Sequence, residues 1–142
     1  MYRRILVPLE HSAADEAIMA HVEALARFTG ARLLLVHVAD GWAARHFDEL
    51  QLRESEEMAQ DRTYLDSVMA DLVAKGFVVD ARLALGDPAS EIIRIAAEEE
   101  VDLIAMATHG HRFVMDLLLG STVGKVRHVV SVPVLLVKAQ KT

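Results

Sequence analysis

An open parallel α/β sheet with helices on both faces is the fold this sequence predicts, on three observations. Five short runs rich in Val, Ile and Leu recur along the 142 residues, at Arg4–Leu9, Arg32–Val38, Phe77–Leu85, Leu103–Ala107 and Pro133–Lys138. Several are apolar at nearly every position, as strands covered on both faces must be. The stretches between them carry helical periodicity, and strands alternating with helices build a parallel sheet through right-handed crossovers.

The helices follow in order. Ser12, with Asp15 three residues on, forms a capping-box pattern that starts the first helix. Ala14, Ile18, Val22, Leu25 and Phe28 then give it one apolar face, and Gly30 stops it. A second helix is expected from Phe47 to Ala74, with Met58, Leu65, Val68, Met69 and Leu72 inward and Arg53, Glu57, Asp61 and Arg62 on its other face. Gly76 ends that helix. Asp87-Pro88 opens a third, a cap residue followed by proline at the first helical position. Its inward residues are Ile92, Ile93 and Ala96. Glu98, Glu99 and Glu100 crowd its C-terminal end, where the helix dipole disfavours anions, and read as a solvated face. The segment Ala39–Asp48 reads as a loop.

Composition bounds the function. One domain spanning 1–142 is expected, and a domain of this size buries roughly 70% of its unfolded surface, enough to stand without cross-links. There is no cysteine, which fits a reducing compartment. A net charge of −6 argues against broad binding to nucleic acid or anionic membranes. The basic start is followed by an apolar run too short for a signal peptide or a membrane span. The expectation is a cytoplasmic protein without membrane insertion.

In open α/β sheets ligands bind outside the carboxyl ends of the strands, where the strand order reverses. Two strand ends carry unusual residues: Pro8-Leu9-Glu10-His11-Ser12 after the first, and Ala107-Thr108-His109-Gly110-His111-Arg112 after the fourth. If these strands are neighbours, the two loops meet at one crevice. The second loop runs into apolar Phe113–Leu119 and then Gly120-Ser121-Thr122. Gly120 divides what would be one long helix, so a new helix begins near Ser121. Its free N–H groups, the Ser121 and Thr122 hydroxyls and its dipole would form an anion site, which Gly110 lets the preceding backbone approach. His109 and His111 lack a third metal ligand and read better as exposed residues or phosphate donors. Arg112 faces either phosphate or water. Glu10 has no nucleophile or partner carboxylate to complete a catalytic mechanism, and no catalytic residue is assigned.

These residues resemble the universal stress protein family, from ILVPLEHS through GARLLLVHV and GDPASEII to MATHGHRFVMDLLLGSTVGKVRHVVSVPVLLVK. The ATP-binding branch of that family is marked by a small residue, two positions, Gly, nine positions, Gly, then Ser or Thr. Here the pattern is Ala107, Gly110, Gly120 and Ser121. The resemblance implies a Rossmann-like sheet of strand order 3-2-1-4-5. It implies that Pro8, Leu9 and Glu10 contact adenine and ribose, that Val38 walls the adenine pocket, and that Met106 and Ala107 lie under the nucleotide. Gly110, Gly120, Ser121 and Thr122 match phosphate contacts. Two positions depart from the family pattern: Glu10 stands where aspartate is usual, and Ala107 where the motif begins with glycine. ATP, ADP, AMP or cyclic AMP is the implied ligand, with room for Mg2+ on the phosphates. The strand at Val132–Val137 matches a homodimer edge. The function so implied is a nucleotide-binding regulatory module of the stress response that acts on a protein partner. The alternatives are a nucleotide-free dimeric interaction module and a slow ATPase.

Overall fold

The computed structural model describes residues 1–39, 48–108 and 122–139. Five strands, β1 (Arg4–Pro8), β2 (Arg32–Ala39), β3 (Val79–Leu85), β4 (Leu103–Thr108) and β5 (Val134–Lys138), form one sheet in the order β3-β2-β1-β4-β5. Every pairing is parallel. β1 lies at the centre, aligning Arg4 with Arg32 and Pro8 with Val36 on one side, and Ile5 with Leu103 on the other. The helices are α1 (Ala14–Thr29), α2 (Asp48–Ala74), α3 (Pro88–Glu98) and α4 (Thr122–Val129).

Side chains alternate across a strand with period two, and this divides the core. Ile5 and Val7 of β1, Leu33 and Leu35 of β2, and Leu103 and Ala105 of β4 pack with Ile18 and Val22 of α1 and Leu65 and Leu72 of α2. Leu6, Leu34, Val36, Ile104 and Met106 pack on the opposite face with Ile92 and Ile95 of α3 and Val126 of α4. The central strands are therefore apolar at consecutive positions because each face has its own cover.

Local chemistry fixes where the elements stop. Gly30 takes the left-handed conformation, φ 74°, and its N–H reaches the Ala26 carbonyl. After α2, Phe77 N–H bonds to Leu72 O and Gly76 N–H to Val73 O, the paired bonds of a Schellman cap. That cap uses Phe77, so β3 begins at Val79 rather than at Phe77. The same two bonds close α3, from Val101 to Ala96 and from Glu100 to Ala97, with Glu100 at φ 51° in the position glycine usually holds. At the other end of α3 Asp87 is the cap, its carboxylate accepting the Ser90 amide at 3.0 Å.

Further expectations need correction or completion. α1 begins at Ala14, two residues after Ser12, which lies in a turn whose carbonyl accepts the Asp15 amide. Phe28 is 91% exposed, and Ala26 occupies the inner stripe instead. In α3 Ile95 is fully buried, whereas Ile93 is only partly so. Two of the glutamates read as a solvated face are also ion-paired: Glu98 meets Arg82 and Arg94, and Glu99 meets Arg4 and Arg82. Those cations offset the unfavourable dipole. They also hold the Glu98 carboxyl below its ordinary pKa, Arg82 first and Arg94 second.

Candidate functional site

β1 and β4 are neighbours, so their carboxyl ends, Pro8 and Thr108, open onto one crevice at the point where the strand order reverses. The chain leaves β1 toward β2 on one side and reaches β4 on the other. The Leu9 side chain is buried with Ile5 and Val7, and its amide donates to the Val36 carbonyl. Met106 is 4% exposed and packs in the core beneath α3 and α4. Ala107 and Val38 are partly buried near the strand ends, and Thr122 is the first residue of α4. Glu10 is exposed at the rim. His109, Gly110, His111, Arg112, Gly120 and Ser121 lie outside the described residues, as does Phe113–Leu119 and most of the segment read as a loop at Ala39–Asp48.

The loop after β1 is organised by polar side chains from three elements. Asp15 of α1 is only 3% exposed, and its carboxylate accepts the amides of Glu10 and His11, each at 2.9 Å. It also accepts the Tyr64 hydroxyl of α2 at 2.6 Å. Burial first, then the Asp15 carboxylate, pushes the Tyr64 pKa far above that of a free phenol, so the hydroxyl remains a donor. His11 stacks on the Tyr64 ring at 4.1 Å between centroids, and its Nδ1 lies 2.8 Å from Asp61 Oδ1.

Asp61 also meets a second histidine. His37, buried at the end of β2, places Nε2 3.2 Å from Asp61 Oδ2 and Nδ1 2.8 Å from the Leu9 carbonyl. Both partners are acceptors, so the ring bonds to both only with a proton on each nitrogen. These groups border a cavity of about 310 Å3 lined by Glu10, His11, His37, Val38, Ala39, Glu57, Met58 and Asp61. Its volume falls in the range of small-molecule sites. Glu10 and Val38 thus share one cavity.

Sequence reasoning missed His37 and Tyr64 and placed Asp61 on the outer face of α2. The Asp61 side chain is in fact only 17% exposed. The signals were present. Asp61 precedes Leu65, Val68 and Leu72 at spacings of four, three and four, which puts it on the inner stripe. His37 is the polar residue within the apolar run from Leu33 to Ala39.

Known proteins agree with this architecture. A universal stress protein of Methanocaldococcus jannaschii is 28% identical over 159 residues, covering 100% of this chain and 98% of the relative. The solved structure of that protein superposes with a TM-score of 0.83 at 29% identity, over 100% of this chain and 99% of the other. A universal stress protein solved in complex with cAMP aligns with a TM-score of 0.76 at 19% identity, over 98% of each chain. Another, from Archaeoglobus fulgidus in complex with dAMP, aligns at 0.67 and 22%, over 96% of this chain and 98% of that one. The model of the Universal stress protein family matches residues 1–138. With that match across nearly its full length, and with the strand order and crevice just described, the chain belongs to the universal stress protein family.

Proposed function

We propose that this chain is an adenine-nucleotide-binding regulatory module whose occupancy alters a surface read by a protein partner. The observation that carries the reading is the spacing of Ala107, Gly110, Gly120 and Ser121, which starts in β4 and runs to the start of α4. A helix N-terminus offers unsatisfied N–H groups and a positive dipole end to phosphate oxygens. The cavity beside Glu10 and Val38 offers room for the nucleoside. The cAMP and dAMP complexes of the two relatives support an adenine nucleotide as the ligand class.

Magnesium fits this reading as part of the ligand. Among the described residues no three His, Asp or Glu side chains gather to hold a metal ion. The ion would ride on the phosphates, with water completing its shell.

Thermal unfolding tests the proposal. A ligand bound only by the folded state at 100 times its Kd adds about 2.7 kcal/mol, so ATP, ADP, AMP or cyclic AMP at saturation should raise the Tm by several degrees. Gly120→Phe should abolish the rise while the unliganded protein still melts cooperatively. No rise with any of the four nucleotides would sink the reading, and an undiminished rise in Gly120→Phe would show that the phosphates sit elsewhere.

A further inference from the structure

A loop leaving the end of a strand has no ladder partner for its backbone groups. In the loop after β1 those groups are taken up by side chains. The Leu9 carbonyl faces His37 Nδ1 at 2.8 Å, and the Asp15 carboxylate accepts the Glu10, His11 and Ser12 amides at 2.9, 2.9 and 3.4 Å. Tyr64, 49 positions along the chain, fixes Asp15 from α2 through its hydroxyl. The Ser12 hydroxyl donates to Glu10 Oε2 at 3.1 Å, so the carboxylate at the cavity rim is itself turned by its own loop. Backbone and side chain of Glu10 are both set before any ligand arrives.

We propose that Asp15 and Tyr64 are positioning residues that preset the Glu10 carboxylate to accept the ribose hydroxyls of a nucleotide, and thereby set the preference of the site for ribonucleotides over deoxyribonucleotides. The inference rests on the nucleotide reading above. Vicinal hydroxyls are two donors, and a carboxylate offers two acceptor oxygens in one plane. Bonds from hydroxyls to a charged acceptor are stronger than neutral ones, and an acceptor already oriented loses little freedom on binding. Neither Asp15 nor Tyr64 lines the cavity, so their effect reaches the ligand through Glu10.

Tyr64→Phe is the sharpest probe, because it deletes one oxygen and retains the ring stacked on His11. Calorimetric titration with ATP and 2′-deoxy-ATP would be compared in the parent, Tyr64→Phe, Asp15→Asn, Glu10→Gln and the double variant Tyr64→Phe/Glu10→Gln. The parent should prefer ATP by about tenfold, the scale of one charge-assisted hydrogen bond. Tyr64→Phe should lose most of that preference while its affinity for the deoxynucleotide stays within about twofold. Asp15→Asn should move the same way, and the double variant should match Glu10→Gln, since all act on one contact. A folded Tyr64→Phe that keeps the parental preference overturns the inference, as does a parent that binds both nucleotides equally. A parent that binds neither overturns the nucleotide reading with it.

Discussion

His11 holds a left-handed backbone conformation, φ 63°, which costs an L-residue on the order of 1 kcal/mol. It is kept there by the Asp15 bond to its amide and the Asp61 bond to its ring. Replacing Asp15 with alanine would leave three loop amides and the Tyr64 hydroxyl without their acceptor. Leaving buried donors unsatisfied costs roughly 1–3 kcal/mol, so urea unfolding of Asp15→Ala should show a lower midpoint at unchanged slope, with stability reduced by that amount. The role of Asp15 was half legible in the sequence. Its spacing from Ser12 identified a local capping partner, and its carboxylate does reach the Ser12 amide at 3.4 Å. Its burial was not legible, because Tyr64 and the cover of α2 come from far along the chain. The positions of His37 and Asp61 were marked by their patterns, but their pairing was not, because only the fold places them 3.2 Å apart.

At the scale of elements, strands and helices were readable because their signals are local. Consecutive apolar residues marked β1, β2 and β4, and Asp87-Pro88 marked the start of α3. Boundaries shifted where a cap took precedence over strand propensity, as at Phe77. The Asp87 cap should contribute about 1 kcal/mol, the usual loss on replacement by alanine. Its bonds from Ser90 are the main cause holding its carboxyl below the ordinary value. The cap's contribution is therefore present above the unfolded carboxyl pKa and disappears as pH falls through the lower folded value. The difference in stability between parent and Asp87→Ala should accordingly shrink toward zero in acid, as denaturant titration at several pH values would register. The other end of α3 invites the opposite change. Glu100→Gly should stabilise the protein by about 1 kcal/mol, since glycine takes the left-handed conformation without a Cβ penalty. An acidic charge also leaves the negative end of the helix dipole. A raised urea midpoint with unchanged slope is the expected result.

For the whole molecule, alternation of strands and helices gave the class of sheet, but the order 3-2-1-4-5 came from the family resemblance. Periodicity cannot say which parallel strands touch, because every buried strand looks alike from its own sequence. β1, with partners on both sides, and β5, with β4 on one side, differ only in context. β5 leaves Leu136 36% exposed on an edge strand, and apolar edges invite pairing with another chain. We propose a homodimer through residues 132–137. Leu136→Lys should then convert a dimeric mass in light scattering to a monomeric one, and an unchanged dimer would refute that interface. Among the described residues no helix is long and apolar enough to cross a membrane.

The amino ends of the strands carry a different chemistry from the crevice. Arg4 begins β1 with ties to Asp80 at 3.3 Å and Glu99 at 2.8 Å, and Asp102 accepts the amides of Arg3 and Arg4. Glu10 and its loop follow the opposite end of the same five-residue strand, whose two ends lie about 13 Å apart at the usual rise. Substitutions more than about 10 Å apart with no shared partner combine additively. The molecule can therefore be engineered as two independent rims. Changes around Arg4, Asp80 and Glu99 can tune its resistance to heat and leave the geometry of the far rim as it was.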